Sequence, residues 1–212
     1  MVKLLVDNKK IMAKKDTSLL QACLESGIYI PNLCFVEGRE YPAASCRMCF
    51  VEIEGEERPV ASCTVTVKEG MVVKTDTPPV RRLQRSALKL LLSVHEVDCG
   101  RCPANKKCAL QQMARFLKIG LNPKGLDRFL KKDESNQDHP LLMLHPNRCV
   151  LCGKCIEVCR QRHGKPFLTF AKRGIDTVVS FYGEKEPIPC EGVLACVDVC
   201  PVGAITPKER KT

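Results

Sequence analysis

The first apolar residues of the chain alternate with polar ones. Val2–Val6 and residues 10–13 have the two-residue period of strands, and Asp7-Asn8 between them is turn chemistry. Residues 17–27 change to a helical period. Thr17 or Ser18 caps that helix, Leu19, Leu20, Cys23 and Leu24 form one apolar face, and Gly27 ends it. Strand-like stretches return at residues 48–53 and 72–75, the first closed by Glu54-Gly55-Glu56. This ββαββ order predicts a β-grasp module over residues 1–78. Cys23 lies on the apolar helical face and is expected in the core as a structural thiol.

Pro78-Pro79 marks the end of that module. Residues 81–95 then carry Leu83, Ala87, Leu88, Leu90, Leu91 and Val94 as a helical stripe, and a second helix is expected over Ala109–Leu117. These make a short helical module over 79–120. Residues 121–141 turn polar and charged and read as a linker or surface excursion. In the last module, 142–212, two cysteine-rich segments at 149–159 and 190–200 share one spacing, with strand material at 168–181 between them. That approximate repeat suggests a pseudo-symmetric α+β unit.

Composition changes the picture at one point. Of 212 residues, 15 are cysteine and none is Trp, so thin cores are expected to need a covalent or metal staple. The start of the chain lacks the charged and apolar regions of a secretory signal, and no apolar run reaches membrane-spanning length. A cytoplasmic, reducing setting follows as the expectation, in which clustered cysteines favour metal over disulfides. The formal charge of +10 would suggest nucleic acid. However, the basic residues are scattered and lack interleaved aromatics, and bound thiolate clusters would offset much of the charge. No nucleic acid partner is expected.

The cysteines fall into four sets. Cys34, Cys46, Cys49 and Cys63 are spaced singly, paired, then singly, and the small residues Ala43, Ala44 and Ser45 let the loop close around a centre. Four thiolates suit a [2Fe–2S] cluster or zinc; zinc sites are usually built from two close pairs, and the 1+2+1 distribution is that of a ferredoxin loop. The second set is His95, Cys99, Cys102 and Cys108. Three thiolates leave a [4Fe–4S] cube one ligand short, which His95 would supply. In the third set, Cys149, Cys152, Cys155 and Cys159 form the run C-x2-C-x2-C-x3-C. The fourth cysteine of such a run serves the other cluster, so one cube would take Cys149, Cys152, Cys155 and the distant Cys200. The fourth set keeps Cys159, Cys190 and Cys196 but has Val193 where a further cysteine belongs. It would hold a [3Fe–4S] cluster, a [4Fe–4S] cluster with an outside ligand, or nothing, as three buried thiols.

In this order, Tyr29-Ile-Pro-Asn-Leu-Cys34, Ser45-Cys-Arg-Met-Cys49, Ala61-Ser-Cys63, the His95 set, Cys149–Cys159 and Cys200-Pro-Val-Gly-Ala204 resemble the amino-terminal iron–sulfur region of the complex I large subunit and of [FeFe]-hydrogenases. In size the chain is most similar to the small diaphorase subunit of NAD-reducing hydrogenases and to related subunits of electron-bifurcating NAD(P)H–ferredoxin oxidoreductases. The resemblance implies a [2Fe–2S] cluster on the first set and [4Fe–4S] clusters on the second and third. It also implies an α+β chain of three modules. These are an N-terminal β-grasp [2Fe–2S] ferredoxin module, a short helical module with one His and three Cys ligands, and a C-terminal bacterial-type two-cluster ferredoxin module.

No dinucleotide fingerprint, Walker loop or nucleophile–base pairing is present, and the end at Thr212 is expected to leave no room for a hydrogenase active-site domain. The expected role is therefore electron relay without a substrate site. Expected partners are a flavin/NAD(P)H-binding iron–sulfur subunit, a further redox subunit and soluble ferredoxin. A free-standing multi-cluster carrier and a zinc-rich interaction protein are the rival readings.

Overall fold

The computed structural model describes residues 1–132, 139, 141–182 and 194–208, in two compact units. The first unit takes in residues 1–89 and 116–119, and the second takes in 90–115 and the remainder from Gly120.

In the first unit β1 (Val2–Val6) and β2 (Lys9–Ala13) form a hairpin with Val6 opposite Lys9. Asp7 and Asn8 both have positive φ, 47° and 64°, as a two-residue turn of this hand requires. The Asp7 carboxylate also accepts from the backbone N–H and hydroxyl of Thr75, which ties the turn to the end of the strand paired with the other edge of β1. Helix α1 (Leu19–Glu25) starts at Ser18, whose hydroxyl accepts from Gln21 N–H at 3.2 Å. It ends in a Schellman arrangement: Ile28 N–H reaches Cys23 O at 2.8 Å, Gly27 N–H reaches Leu24 O at 3.0 Å, and Gly27 sits at φ +72°.

Three more strands complete the sheet: β3 (Phe50–Ile53), β4 (Val60–Ala61) and β5 (Val72–Lys74), in the order β2-β1-β5-β3-β4. β1 and β5 run parallel and every other pairing is antiparallel. Alternate residues Leu4, Val6, Val51 and Val73 face the buried side, where Leu19, Leu20, Ala22 and Cys23 of α1 join them in one core. Two strand limits differ from the pattern-based expectation. β3 begins only at Phe50, because Met48 and Cys49 belong to the preceding loop, and the two-residue β4 is too short to leave a periodic signal.

Helix α2 (Pro78–Ser93) begins at the two prolines expected to precede it. Proline suits the first turn because its missing N–H has no helical partner there; the Thr77 hydroxyl accepts from Val80 N–H at 3.4 Å. Gln84 is buried, and its Nε2 donates to Phe50 O at 3.2 Å, anchoring the helix to β3. Helix α3 (Ala109–Leu117) ends with carbonyls taken by arginines of α2: Arg81 donates to Phe116 O at 3.1 Å and Arg85 to Leu117 O at 3.0 Å.

In the second unit, β6 (Leu142–Leu144) pairs antiparallel with β9 (Ile205–Pro207), and β7 (Leu168–Ala171) with β8 (Val178–Phe181). Helices α4 (Lys154–His163) and α5 (Ala195–Asp198) pack on them. Leu142, Leu144, Ile156, Leu168, Val179 and Ile205 share a core with Cys155 and Cys196. Two strand pairs and two helices make up the described part of this unit. The segment expected as a linker is anchored in its described part: Phe129 N–H donates to Ser93 O at 2.9 Å and Arg128 to His95 O at 3.1 Å. Among the described residues no helix is long and apolar enough to cross a membrane.

Candidate iron–sulfur sites

Cys34, Cys46, Cys49 and Cys63 are all buried, carried by the loop after α1, the loop before β3 and a 3-10 turn (Ser62–Thr64) after β4. Ala44 and Arg47 take left-handed conformations, φ 48° and 51°, so the 43–49 loop curls tightly; a residue without β-branching is needed at both. The four thiols stand as two pairs. The Cys34 and Cys46 sulfurs are 3.4 Å apart, and Cys49 and Cys63 form the second hydrogen-bonded pair. Within each pair the hydrogen bond between the two sulfurs lowers one thiol, to about 5 for Cys34 and about 7 for Cys49. Their partners, Cys46 and Cys63, are pushed up, by that bond first and by burial second. Two pairs of sulfurs are the donor set that two irons need.

Ser62, which the sequence pattern did not single out, locks this site. Its backbone N–H and its hydroxyl both donate to Cys49 O, at 2.9 and 2.8 Å. Cys23, by contrast, lies in the core, and burial followed by the charge of Asp7 pushes its thiol up to about 12. It has the character of an inert core thiol.

His95 follows α2 and is buried, with no partner for its Nδ1. Burial is the main reason its pKa falls to about 4, so the ring is neutral, the form that can ligate a metal. Cys99 opens a 3-10 turn (Cys99–Arg101), Cys102 N–H closes it on Cys99 O at 3.3 Å, and Cys108 is buried just before α3. Burial raises the Cys108 thiol.

In the second unit one cavity is lined by Cys149, Cys152, Cys155 and Cys200, with walls that include Leu144, Val179, Val202 and Ile205. The structure thus gathers the four thiols that spacing assigned to one cube, although Cys200 lies far along the chain. Leu151 at φ 52° and Gly153 at φ 72° curl the loop, and Leu151 N–H donates to Cys149 Sγ at 3.4 Å. Ala204 N–H donates to Cys200 Sγ at 3.2 Å. Burial pushes Cys149 up to about 12 and raises Cys155 as well. Buried thiols of this kind ionise only beside a compensating cation, and iron in a cluster supplies it.

Cys159 lies one helical turn beyond Cys155 on α4, and its sulfur accepts Phe167 N–H at 3.2 Å. Cys196 is buried in the core of the same unit. Cys190 and Val193 lie outside the described residues. Among the described residues no three His, Cys, Asp or Glu side chains converge as a single metal ion demands. In a cluster the protein ligands bind different irons, so such convergence is not what this donor set requires.

Comparison with known proteins finds iron–sulfur domains along the chain. Residues 1–78 match the 2Fe-2S iron-sulfur cluster binding domain, 84–121 the NADH-ubiquinone oxidoreductase-G iron-sulfur binding region, and 139–206 the ferredoxin-like domain of NADH-quinone oxidoreductase subunit 3. The chain is 35% identical to NADPH-Fe(3+) oxidoreductase subunit alpha of Geobacter sulfurreducens over 100% of its length. It is 34% identical to the mitochondrial NADH-ubiquinone oxidoreductase 78 kDa subunit of Neurospora crassa over 98%. It covers 24% of the first of those proteins and 28% of the second. A chain of an NAD+-reducing [NiFe]-hydrogenase superposes with a TM-score of 0.84 at 29% identity, over 99% of this chain and 88% of that one. The protein carries one 2Fe-2S binding domain and two 4Fe-4S binding domains of the NADH-quinone oxidoreductase type.

Proposed function

We propose that this chain, built from iron–sulfur domains of the NADH-quinone oxidoreductase type, relays electrons within a larger NADH- or NADPH-linked oxidoreductase. The observation that carries this reading is the single cavity holding Cys149, Cys152, Cys155 and Cys200 behind apolar walls. Cys34, Cys46, Cys49 and Cys63 would hold a [2Fe–2S] cluster. His95, Cys99, Cys102 and Cys108 would hold one [4Fe–4S] cluster, and the cavity set another. Cys159, Cys190 and Cys196 are the thiols left for a fourth site, which would hold a [3Fe–4S] cluster, a [4Fe–4S] cluster with an outside ligand, or none. When bound, such groups accept and donate single electrons without proton or group transfer.

The chain's own residues set the conditions for this. Leu144, Val179, Val202 and Ile205 exclude water from the third site, and the Leu151 and Ala204 amides direct hydrogen bonds at its sulfurs. Burial and hydrogen bonding of this kind tune cluster potentials. The modules proposed are a β-grasp [2Fe–2S] domain over 1–78, a one-His, three-Cys module over 79–120, a connecting segment over 121–141 and a two-cluster ferredoxin domain over 142–212. The proposed partners are a flavin/NAD(P)H-binding subunit and a further redox subunit, with soluble ferredoxin as an acceptor. The names of the relatives, an NADPH-Fe(3+) oxidoreductase, an NADH-ubiquinone oxidoreductase and an NAD+-reducing hydrogenase, favour that setting over a free-standing carrier.

Anaerobic purification from the native host, with iron and sulfide analysis and identification of co-purifying chains, tests the proposal. A brown protein with about 10 to 14 irons per chain, accompanied by a flavoprotein, is expected. A colourless zinc protein would overturn the cluster assignment, and a brown protein that is alone and stable would overturn the subunit reading.

A further inference from the structure

The segment from Cys200 to Ala204 touches two ligand sets at once. On one side, Cys200 and Val202 line the third site's cavity and Ala204 N–H donates to Cys200 Sγ. On the other side, Val202 O lies 3.8 Å from Cys102 Sγ, and Pro201 O accepts Ala109 N–H at 2.9 Å. Cys102 belongs to the His95 set, and Ala109 directly follows that set's last cysteine. The two ligand loops, about a hundred residues apart in sequence, are therefore in direct contact.

That contact depends on Gly203. Its φ is +65°, in the region L side chains rarely adopt. A Cβ built there would stand 2.9 Å from Ala104 Cβ, 3.2 Å from Ala104 N and 3.4 Å from Pro103 Cγ. Ala104 and Pro103 lie in the loop between Cys102 and Cys108. Backbone and a methyl stub offer no flexible side chain to move aside, so any side chain at 203 must push the loops apart.

We infer that Gly203 is a positioning residue that holds the loop of the His95 set against the Cys200 loop and so fixes the separation of the two cube-holding ligand sets. This deepens the relay reading above and rests on it. A one-electron exchange between the two sites oxidises one centre and reduces the other, and makes or breaks no bond at the protein. Its rate depends on how closely the loops approach, and Cys102 Sγ, the Val202 carbonyl and the backbone leading to Cys200 bridge them.

The test compares wild type, Gly203→Ala and the double variant Gly203→Ala/Ala104→Gly as full-length, cluster-loaded proteins. Two quantities are read: hydrogen exchange of the Ala109 amide, and the magnetic interaction between the two reduced cubes in EPR. Gly203→Ala is expected to lose protection at Ala109 and to weaken the interaction while keeping its iron. Ala104→Gly removes the methyl that the new one would strike most closely and should restore both in part. No change in Gly203→Ala, or a change that Ala104→Gly does not lessen, would overturn the inference. If Gly203→Ala loses a cube, Ala104→Val introduces bulk from the opposite loop, and an unaltered Ala109 amide in that variant refutes the positioning role. Absence of cube signals in wild type would refute the relay reading instead, with Ala109 exchange still reporting on Gly203.

Discussion

Asn147 and Lys131 clamp each other through side chain and backbone: Lys131 N–H donates to Asn147 Oδ1 at 2.7 Å, and Asn147 Nδ2 donates to Lys131 O at 3.0 Å. Asn147 O in turn accepts Glu96 N–H at 2.7 Å, next to His95. One asparagine thus joins the segment after residue 120, the His95 turn and the entrance to the Cys149 loop. Asn147→Ala leaves Lys131 without two partners and is expected to cost about 1–3 kcal/mol. Thermal unfolding of the loaded protein measures the loss, and EPR should show the His95-set cube altered with the [2Fe–2S] signal intact.

The first site separates ligand from core thiols. Cys63→Ser is expected to remove or strongly alter the [2Fe–2S] EPR signal and leave the cube signals in place. Cys23→Ala, in the same buried unit, should leave every cluster signal unchanged. Identical spectra for wild type and Cys63→Ser would sink the ligand assignment.

Ser62 has a smaller predicted effect at the same site. Ser62→Ala removes the hydroxyl that donates to Cys49 O but keeps the backbone bond. A stability loss of about 1 kcal/mol is expected, read as a lower midpoint in chemical denaturation, with the [2Fe–2S] cluster retained.

At the second site, His95→Cys should keep a cube and lower its reduction potential, since a thiolate adds negative charge where imidazole has none. His95→Ala should reduce the iron content by one cube. Potentiometric titration followed by EPR distinguishes the two outcomes.

A pH dependence follows from His139. It is buried, its Nδ1 accepts Leu141 N–H at 3.1 Å, and its ring lies edge-on to Phe181. Burial, and then the charge of Lys208, lowers its pKa from 6.5 to about 4. The unfolded chain binds the proton near 6.5 and the folded chain only near 4, so stability is full above 6.5 and falls as the pH drops through that window. His139→Gln should flatten this slope, as measured by thermal midpoints between about pH 7 and about pH 4.

Several elements are legible in the chain because their signals are local. The Asp7-Asn8 turn, the Ser18 cap, the Gly27 stop and the limits of α3 all follow from residues within a few positions of one another. The gathering of Cys149, Cys152 and Cys155 around one cavity is equally legible, since ligand spacing within a loop is a property of nearby residues. The two-residue β4 and the true start of α2 are not, because the first has no period and the apolar stripe that marks the second begins only at Leu83, beyond the prolines that open it.

Covalent spacing is enough to group the thiols into sets, to place Cys23 on a core-facing helical stripe, and to point from the Cys149 loop to Cys200. Packing adds what spacing cannot carry: the thiols of the first set stand in two pairs, Ser62 closes on Cys49, and Asn147 ties the Lys131 segment to the His95 turn. Packing also brings Val202 against Cys102 and leaves Gly203 no room for a side chain. The physical reason is range. A ligand motif is written in consecutive residues, whereas the contact of two motifs about a hundred residues apart exists only once both loops are ordered, and no periodicity or composition records it.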